Sequence, residues 1–212
     1  MSATNEAPAS VVPAVRISDP GPLGLAGFAL TTFLLSAANA NWTKGAIPGV
    51  NSAEWLPYAL VYGGIVQLLA GMWEFRTGNV FGATAFSSYG AFWMGLFFYV
   101  RFVAVLPGEN IHNDLGWILL AFAIFTLYML IASTQTNAAL FSVFLALEIA
   151  LIFLFIGQFD SGNANLIKVG GYLGVVTALI AWYVSAAGLV AGMKGRPVLP
   201  VGKPLFELGG RA

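Results

Sequence analysis

Cysteine is absent, histidine occurs once, and charge is scarce: nine Lys and Arg stand against nine Asp and Glu, 8% of 212 residues. Each shortage removes a class of function. Without cysteine there are no disulfides, thiolate metal sites or cysteine nucleophiles. The one histidine, His112, reads as a loop residue and cannot by itself build a metal site, so neither a metal nor another cofactor is expected. A net charge of zero offers no basic face to nucleic acid. Soluble domains carry about 25% charged residues, and a chain this poor in charge would expose wide apolar patches to water.

What fills the chain instead is apolar side chains, 58% of the residues. Six long runs cover residues 23–42, 55–73, 84–106, 115–133, 138–159 and 169–193, and four of them contain no charge. Crossing a bilayer takes ~20 mostly apolar residues. The sequence therefore predicts an all-α integral membrane protein, a six-transmembrane-helix bundle in the lipid bilayer of the cell membrane. Residues 1–18 read as a mobile tail, 19–193 as the membrane domain and 194–212 as a cytoplasmic tail. The first tail lacks the basic start and continuous apolar core of a secretory signal.

Six spans place both tails on one side. Arg16, Lys194, Arg196, Lys203 and Arg211 lie on that side, with Arg76 in a short loop, against Lys44 and Lys168 opposite. Positive charge favours the cytoplasm, so both termini are expected there.

Two kinds of helical face stand out. Gly174, Ala178, Ala181, Ser185, Gly188 and Gly192 recur at steps of three and four, which stacks small residues on one side of the sixth run. Such a face admits a close neighbour in lipid, within one bundle or between subunits. Phe28, Thr32, Ser36 and Asn39 share a face of the first run; Gly63, Gln67, Ala70 and Glu74 share one of the second. Polar side chains at membrane depth point into the bundle or a wet cavity. An amide has four bonding sites to satisfy, which singles out Asn39 and Gln67 as candidate pathway residues.

Three acidic or basic features need placing. Glu148 falls near the middle of the fifth run and Arg101 toward the outer end of the third, roughly 10 Å apart in depth. Pairing, outward snorkelling of Arg101 and an unpaired Glu148 serving as a proton site are all compatible with that spacing. Glu74 and Arg76 close the second run and read as an ion pair at the headgroups, with a role in a cytoplasmic vestibule as the alternative.

Four stretches carry a resemblance. Residues 19–25 read DPGPLGL, 62–75 YGGIVQLLAGMWEF, 78–93 GNVFGATAFSSYGAFW and 195–204 GRPVLPVGKP. Together they resemble the acetate uptake transporter family, which includes bacterial succinate–acetate permeases and yeast acetate/ammonia transporters. In that family the first motif usually reads NPAPLGL, so Asp19 stands for Asn and Gly21 for Ala; Asp and Asn cap a helix about equally well. The resemblance implies a transporter or channel for acetate and other small carboxylates such as succinate, assembled as hexamers with one pathway per subunit. It also implies an apolar constriction built from a Phe, a Tyr and a Leu, which fall here on Phe28, Tyr89 and Leu147.

The chemistry of the task suits these residues. A pathway must replace the carboxylate's hydration with donors and give the methyl group an apolar wall. Helix N-termini offer free N–H groups at a positive dipole end, and the motifs around Leu23–Gly24 and Asn79 place two of them on the cytoplasmic side. Thr32, Asn39, Gln67, Thr84, Ser87 and Ser88 are the expected donors along the path. An aromatic constriction passes only small solutes. Three other readings compete: an ammonia or ammonium transporter of the same fold, a non-transporting assembly protein, and an intramembrane enzyme. The enzyme is disfavoured because a serine nucleophile needs a base, the one histidine lies outside the spans, and no G-x-G-D aspartate falls within one.

Overall fold

The computed structural model describes residues 17–45 and 53–206. The tail expected at residues 1–18 lies outside the described residues except for its last two positions. Among the described residues the chain forms six helices: α1 Gly21–Asn39, α2 Trp55–Thr77, α3 Val80–Phe98, α4 Ile111–Ser133, α5 Ala138–Phe159 and α6 Ala164–Lys194. Five are long and apolar enough to cross a membrane; α3 is not among them. It matches α1 in length, at 19 residues.

The helix starts are set by asparagine. Asn79, Asn110, Asn137 and Asn163 cap α3, α4, α5 and α6, each side chain accepting a backbone N–H of the first turn. Such a cap satisfies an otherwise orphaned donor and contributes about 1 kcal/mol. The cap at Asn110 starts α4 before its apolar run, so His112 sits in a helical first turn rather than in a loop. At α1 the expected Asp19 cap differs in detail. Asp19 accepts from the Gly21 N–H at 2.8 Å, while Pro20 occupies the capping position itself.

Neighbouring helices close a ring in the order α1, α2, α3, α4, α5, α6, with the α3–α4 seam the most sparsely packed. The stripe of small residues on α6 meets a helix within the bundle. It packs against α1 of the same chain. A Cβ on Gly171 would fall 2.6 Å from the Ala40 nitrogen, Gly174 abuts Ser36, and Ser185 donates to the Pro22 carbonyl at 2.6 Å. Gly188 meets the Pro22 ring, and only Gly192 of the stripe faces open space. Small side chains here replace the hydrophobic drive, which is weak in lipid, by close van der Waals approach.

Two π-helical turns interrupt the regular helices, Val61–Val66 within α2 and Tyr99–Val103 at the end of α3. The first lies where Gly27 of α1 comes within 2.7 Å, at the position of a Cβ, of the Tyr62 carbonyl. A π turn carries one residue more than an α turn. It therefore re-aims the residues that follow, beginning with Gln67. After α6 the chain folds back as a strap: Val201 accepts from the Ala139 N–H at 2.9 Å, and Tyr183 donates to the Pro200 carbonyl at 2.6 Å. Leu69, Trp73, Ile124, Leu127, Ile131, Leu179 and Leu189 leave their side chains exposed on the outside, as lipid-facing residues do.

Candidate functional site

Three helix N-termini converge at one end of the ring. The left-handed Gly78 (φ 79°) ends α2 and lets Asn79 cap α3 at once, through the Gly82 N–H at 3.0 Å. Glycine is required there because a Cβ disfavours that backbone region. Asn137 caps α5 through Leu140, 2.9 Å away. With the start of α1 at Gly21, these first turns border an inner vestibule of about 240 Å³. Its rim therefore carries the positive ends of three helix dipoles.

Gln67 lies deeper in the same vestibule. It is fully buried, and neither its amide oxygen nor its nitrogen has a hydrogen-bond partner among the described residues. An unbonded buried polar group costs about 1–3 kcal/mol. The amide therefore points its bonding capacity at whatever enters the cavity.

Phe28, Tyr89 and Leu147 form the floor. They come from α1, α3 and α5, are each less than a tenth exposed, and line both the vestibule and a second, smaller cavity of about 50 Å³. The Phe28 and Tyr89 rings lie 5.6 Å apart. Phe125 meets the edge of Tyr89 at 5.2 Å, and Phe122 and Phe144 stand at 6.3 Å. The second cavity takes Thr32, Ser36 and Asn39 from α1 and Trp93 from α3. Thr32 Oγ1 and Trp93 Nε1 are buried without partners. Beyond it, Leu35, Asn39, Leu119 and Leu154 also line a third cavity of about 410 Å³ at the opposite end. Consecutive cavities thus share walls from one end of the ring to the other.

Of the residues expected along a path, Thr32, Asn39, Gln67 and Asn79 line these cavities, as do Phe28, Tyr89 and Leu147. The others lie elsewhere. Leu23 is half exposed in a groove between α1 and the end of α6. Gly24 is buried because Phe86 packs onto it, 2.7 Å from the position of a Cβ. Ser87 turns toward Gly71 of α2, and Thr84 and Ser88 occupy flanks of α3 that Ala85 and Tyr89 do not share. Helical periodicity explains the split: residues three and four apart share a face, so Phe81, Gly82, Ala85, Phe86 and Tyr89 line the vestibule while Thr84, Ser87 and Ser88 do not.

The ionisable residues are also redistributed. Glu148 is buried on α5 with Oε2 unpartnered, but it does not border the three cavities. Arg101 is exposed, its guanidinium 5.2 Å from the Phe102 ring. The expected headgroup pair of Glu74 and Arg76 is not formed: Arg76 is exposed, whereas Glu74 is 1% exposed and lines the inner vestibule. Asn137 and Trp93 were thus not anticipated as lining residues, whereas Glu74 lies on the face it shares with Gln67. Asparagine ahead of the 138–159 run was a readable cap signal, but nothing local to Trp93 marks an inward face.

A ring of long apolar helices around a row of internal cavities is the architecture of a multi-pass membrane protein. The chain belongs to the GPR1/FUN34/yaaH family, whose model matches residues 2–201. It is 38% identical to acetate permease A of Emericella nidulans over 95% of this chain and 71% of that protein. It is 35% identical to the succinate-acetate/proton symporter SatP of Escherichia coli over 89% of this chain and 97% of that one. The ammonia transport outward protein 2 of Saccharomyces cerevisiae is 38% identical over 84% of this chain and 63% of its own length. The solved structure of the bacterial acetate channel SatP superposes with a TM-score of 0.79 at 34% identity, covering 88% of this chain and all of that one. These relatives are transporters and channels, not enzymes.

Proposed function

We propose that this chain carries acetate and related small carboxylates such as succinate across the cell membrane, through one pathway in each subunit. The observation that supports it most is the pinch at Phe28, Tyr89 and Leu147, where two cavities meet on opposite faces of the same three side chains. On one side, three helix N-termini and the Gln67 amide offer donors to a carboxylate. On the other, Thr32, Asn39 and Trp93 offer more, and the rings between them supply an apolar wall for a methyl group. A constriction of this kind excludes hydrated ions by the cost of removing their water.

In this reading α3 is a sixth span and both termini face the cytoplasm. Its polar and glycine-rich side is turned into the ring, where lipid does not reach it. The subunits assemble as hexamers, as the family resemblance implies. Uptake of labelled acetate by liposomes holding the purified chain, with and without an imposed proton gradient, tests substrate and coupling together. Acetate uptake blocked by excess succinate is the expected result. Transport of ammonia with no acetate flux would favour the activity named for the yeast relative instead.

A further inference from the structure

We propose that Glu74 is the proton-binding residue of the inner vestibule: its ionised carboxylate and a substrate carboxylate exclude one another, so each carboxylate that occupies the vestibule brings one proton onto Glu74. This deepens the carboxylate-pathway reading and rests on it.

Glu74 stands in the last turns of α2, 1% exposed, on the vestibule wall. Its Oε1 has no hydrogen-bond partner. Its Oε2 accepts from the Thr77 hydroxyl at 3.1 Å, but that hydroxyl also lies 2.9 Å from the Glu74 carbonyl. A hydroxyl has one proton to give. The Asn79 side chain also bonds the carboxyl, so it holds a shared hydroxyl and one amide donor but no cation, less than a buried ionised carboxylate needs.

Its position is the one a substrate anion would prefer. Cβ atoms added to Gly82 and Gly21 would fall 2.8 and 3.4 Å from Oε1, so the carboxyl lies against the first turns of both α3 and α1. Glycine at position 82 is what leaves room for it. The same N-termini attract an incoming carboxylate.

Nothing basic offsets the crowding. Among the described residues, no Lys, Arg or His lines the vestibule. From α1 the facing charge is another acid, Asp19; α3 contributes neutral Asn79 and α5 neutral Asn137. Arg76, two residues along α2, is exposed. Two acids and no base cannot readily admit a third negative charge in a partly desolvated cavity. Protonation removes one of the two and converts an acceptor-only group into a donor aimed at the ligand. The proton comes from vestibule water onto a Glu74 oxygen and returns to water when the carboxylate leaves, so substrate and proton occupy and vacate the site together.

The test uses trifluoroacetate, a small carboxylate that stays ionised at any working pH. The purified full-length chain binds it in weakly buffered solution while the proton count is followed. Wild-type protein is expected to take up one proton per anion bound, with affinity falling roughly tenfold per pH unit where Glu74 is ionised. Glu74→Gln should bind with no proton uptake and with affinity flat across the same range. Glu74→Asp should restore the uptake, which a merely structural role for the side chain would not explain. Wild-type binding without proton uptake at every pH, alkaline solution included, overturns the proposal by itself, whether or not any variant folds. So does an uptake that persists in Glu74→Gln and is lost in Asp19→Asn. If wild-type protein neither binds nor transports trifluoroacetate or acetate, the carboxylate-pathway reading falls as well.

Discussion

The Tyr89 hydroxyl lies 2.8 Å from Thr126 Oγ1, a bond that joins α3 to α4 across the most sparsely packed seam of the ring. Its direction follows from a second contact. Thr126 gives its only hydroxyl proton to the Phe122 carbonyl at 2.7 Å, so Tyr89 is the donor. The ring at the pinch is thus held by its hydroxyl. Replacing Thr126 by Val removes the acceptor and leaves a buried phenol unpaired, a cost of about 1–3 kcal/mol. We expect a lower thermal midpoint and altered discrimination between acetate and larger acids, with Thr126→Ser restoring both. Unaltered size selectivity in the Val variant would mean the bond does not position the ring.

Phe28 supplies the opposite wall, 5.6 Å from Tyr89. Truncation to Ala should widen the pinch and join the two cavities that meet there. Larger carboxylates should then gain relative to acetate in competition uptake. The same substitution opens a buried cavity, which costs about 3–5 kcal/mol in well-packed cores. Flux should therefore be normalised to folded protein. Equal exclusion of bulky acids by wild type and variant would remove Phe28 from the constriction.

Gln67 separates function from stability. Its amide has no partner among the described residues, so Gln67→Met, similar in shape, should hold or raise the thermal midpoint. Carboxylate uptake should fall at least several-fold, because the vestibule loses a donor. A variant that loses stability and keeps full uptake would show the amide to be a structural group instead.

Gly174 probes the α1–α6 contact, where it abuts Ser36. Gly174→Leu overpacks that contact, a change that costs about 1–3 kcal/mol or more. The loss should appear in the isolated subunit as well as in any assembly, since both helices belong to one chain. Gly192→Leu points into open space and should leave the subunit's midpoint unchanged. Equal midpoints for the two variants would contradict the packing described above.

Much of the bundle was readable because lipid imposes a simple rule. Backbone polar groups must bond within their own helix, so each span declares itself as a long apolar run. The run at 138–159 coincides with α5, and the first motif led to Phe28 on the face that lines the vestibule. The misplaced residues fail for one reason: composition reports depth along a helix and not rotation about it. Ser87 and Ser88 are as polar as Gln67, yet they point away from the cavities while Gln67 points in. The π turn just before Gln67 contributes to that aim, and no residue pattern announced it.

Glu74 shows the same limit in sharper form. At the end of an apolar run, beside Arg76, a glutamate reads as a headgroup residue. The tight Gly78–Asn79 turn instead folds α3 back so that Gly82 packs over its carboxyl.

Sequence alone determined the class of protein, since scarce charge and six apolar runs leave a bilayer as the only solvent that suits them. The four motifs carried the resemblance to the family, and that resemblance pointed to Phe28, Tyr89 and Leu147. Only the tertiary structure decided which polar groups share a cavity and which lie buried without a partner. Those properties depend on helix rotation and on contacts between α1, α2, α3 and α5, residues far apart in the chain that meet only when the ring closes.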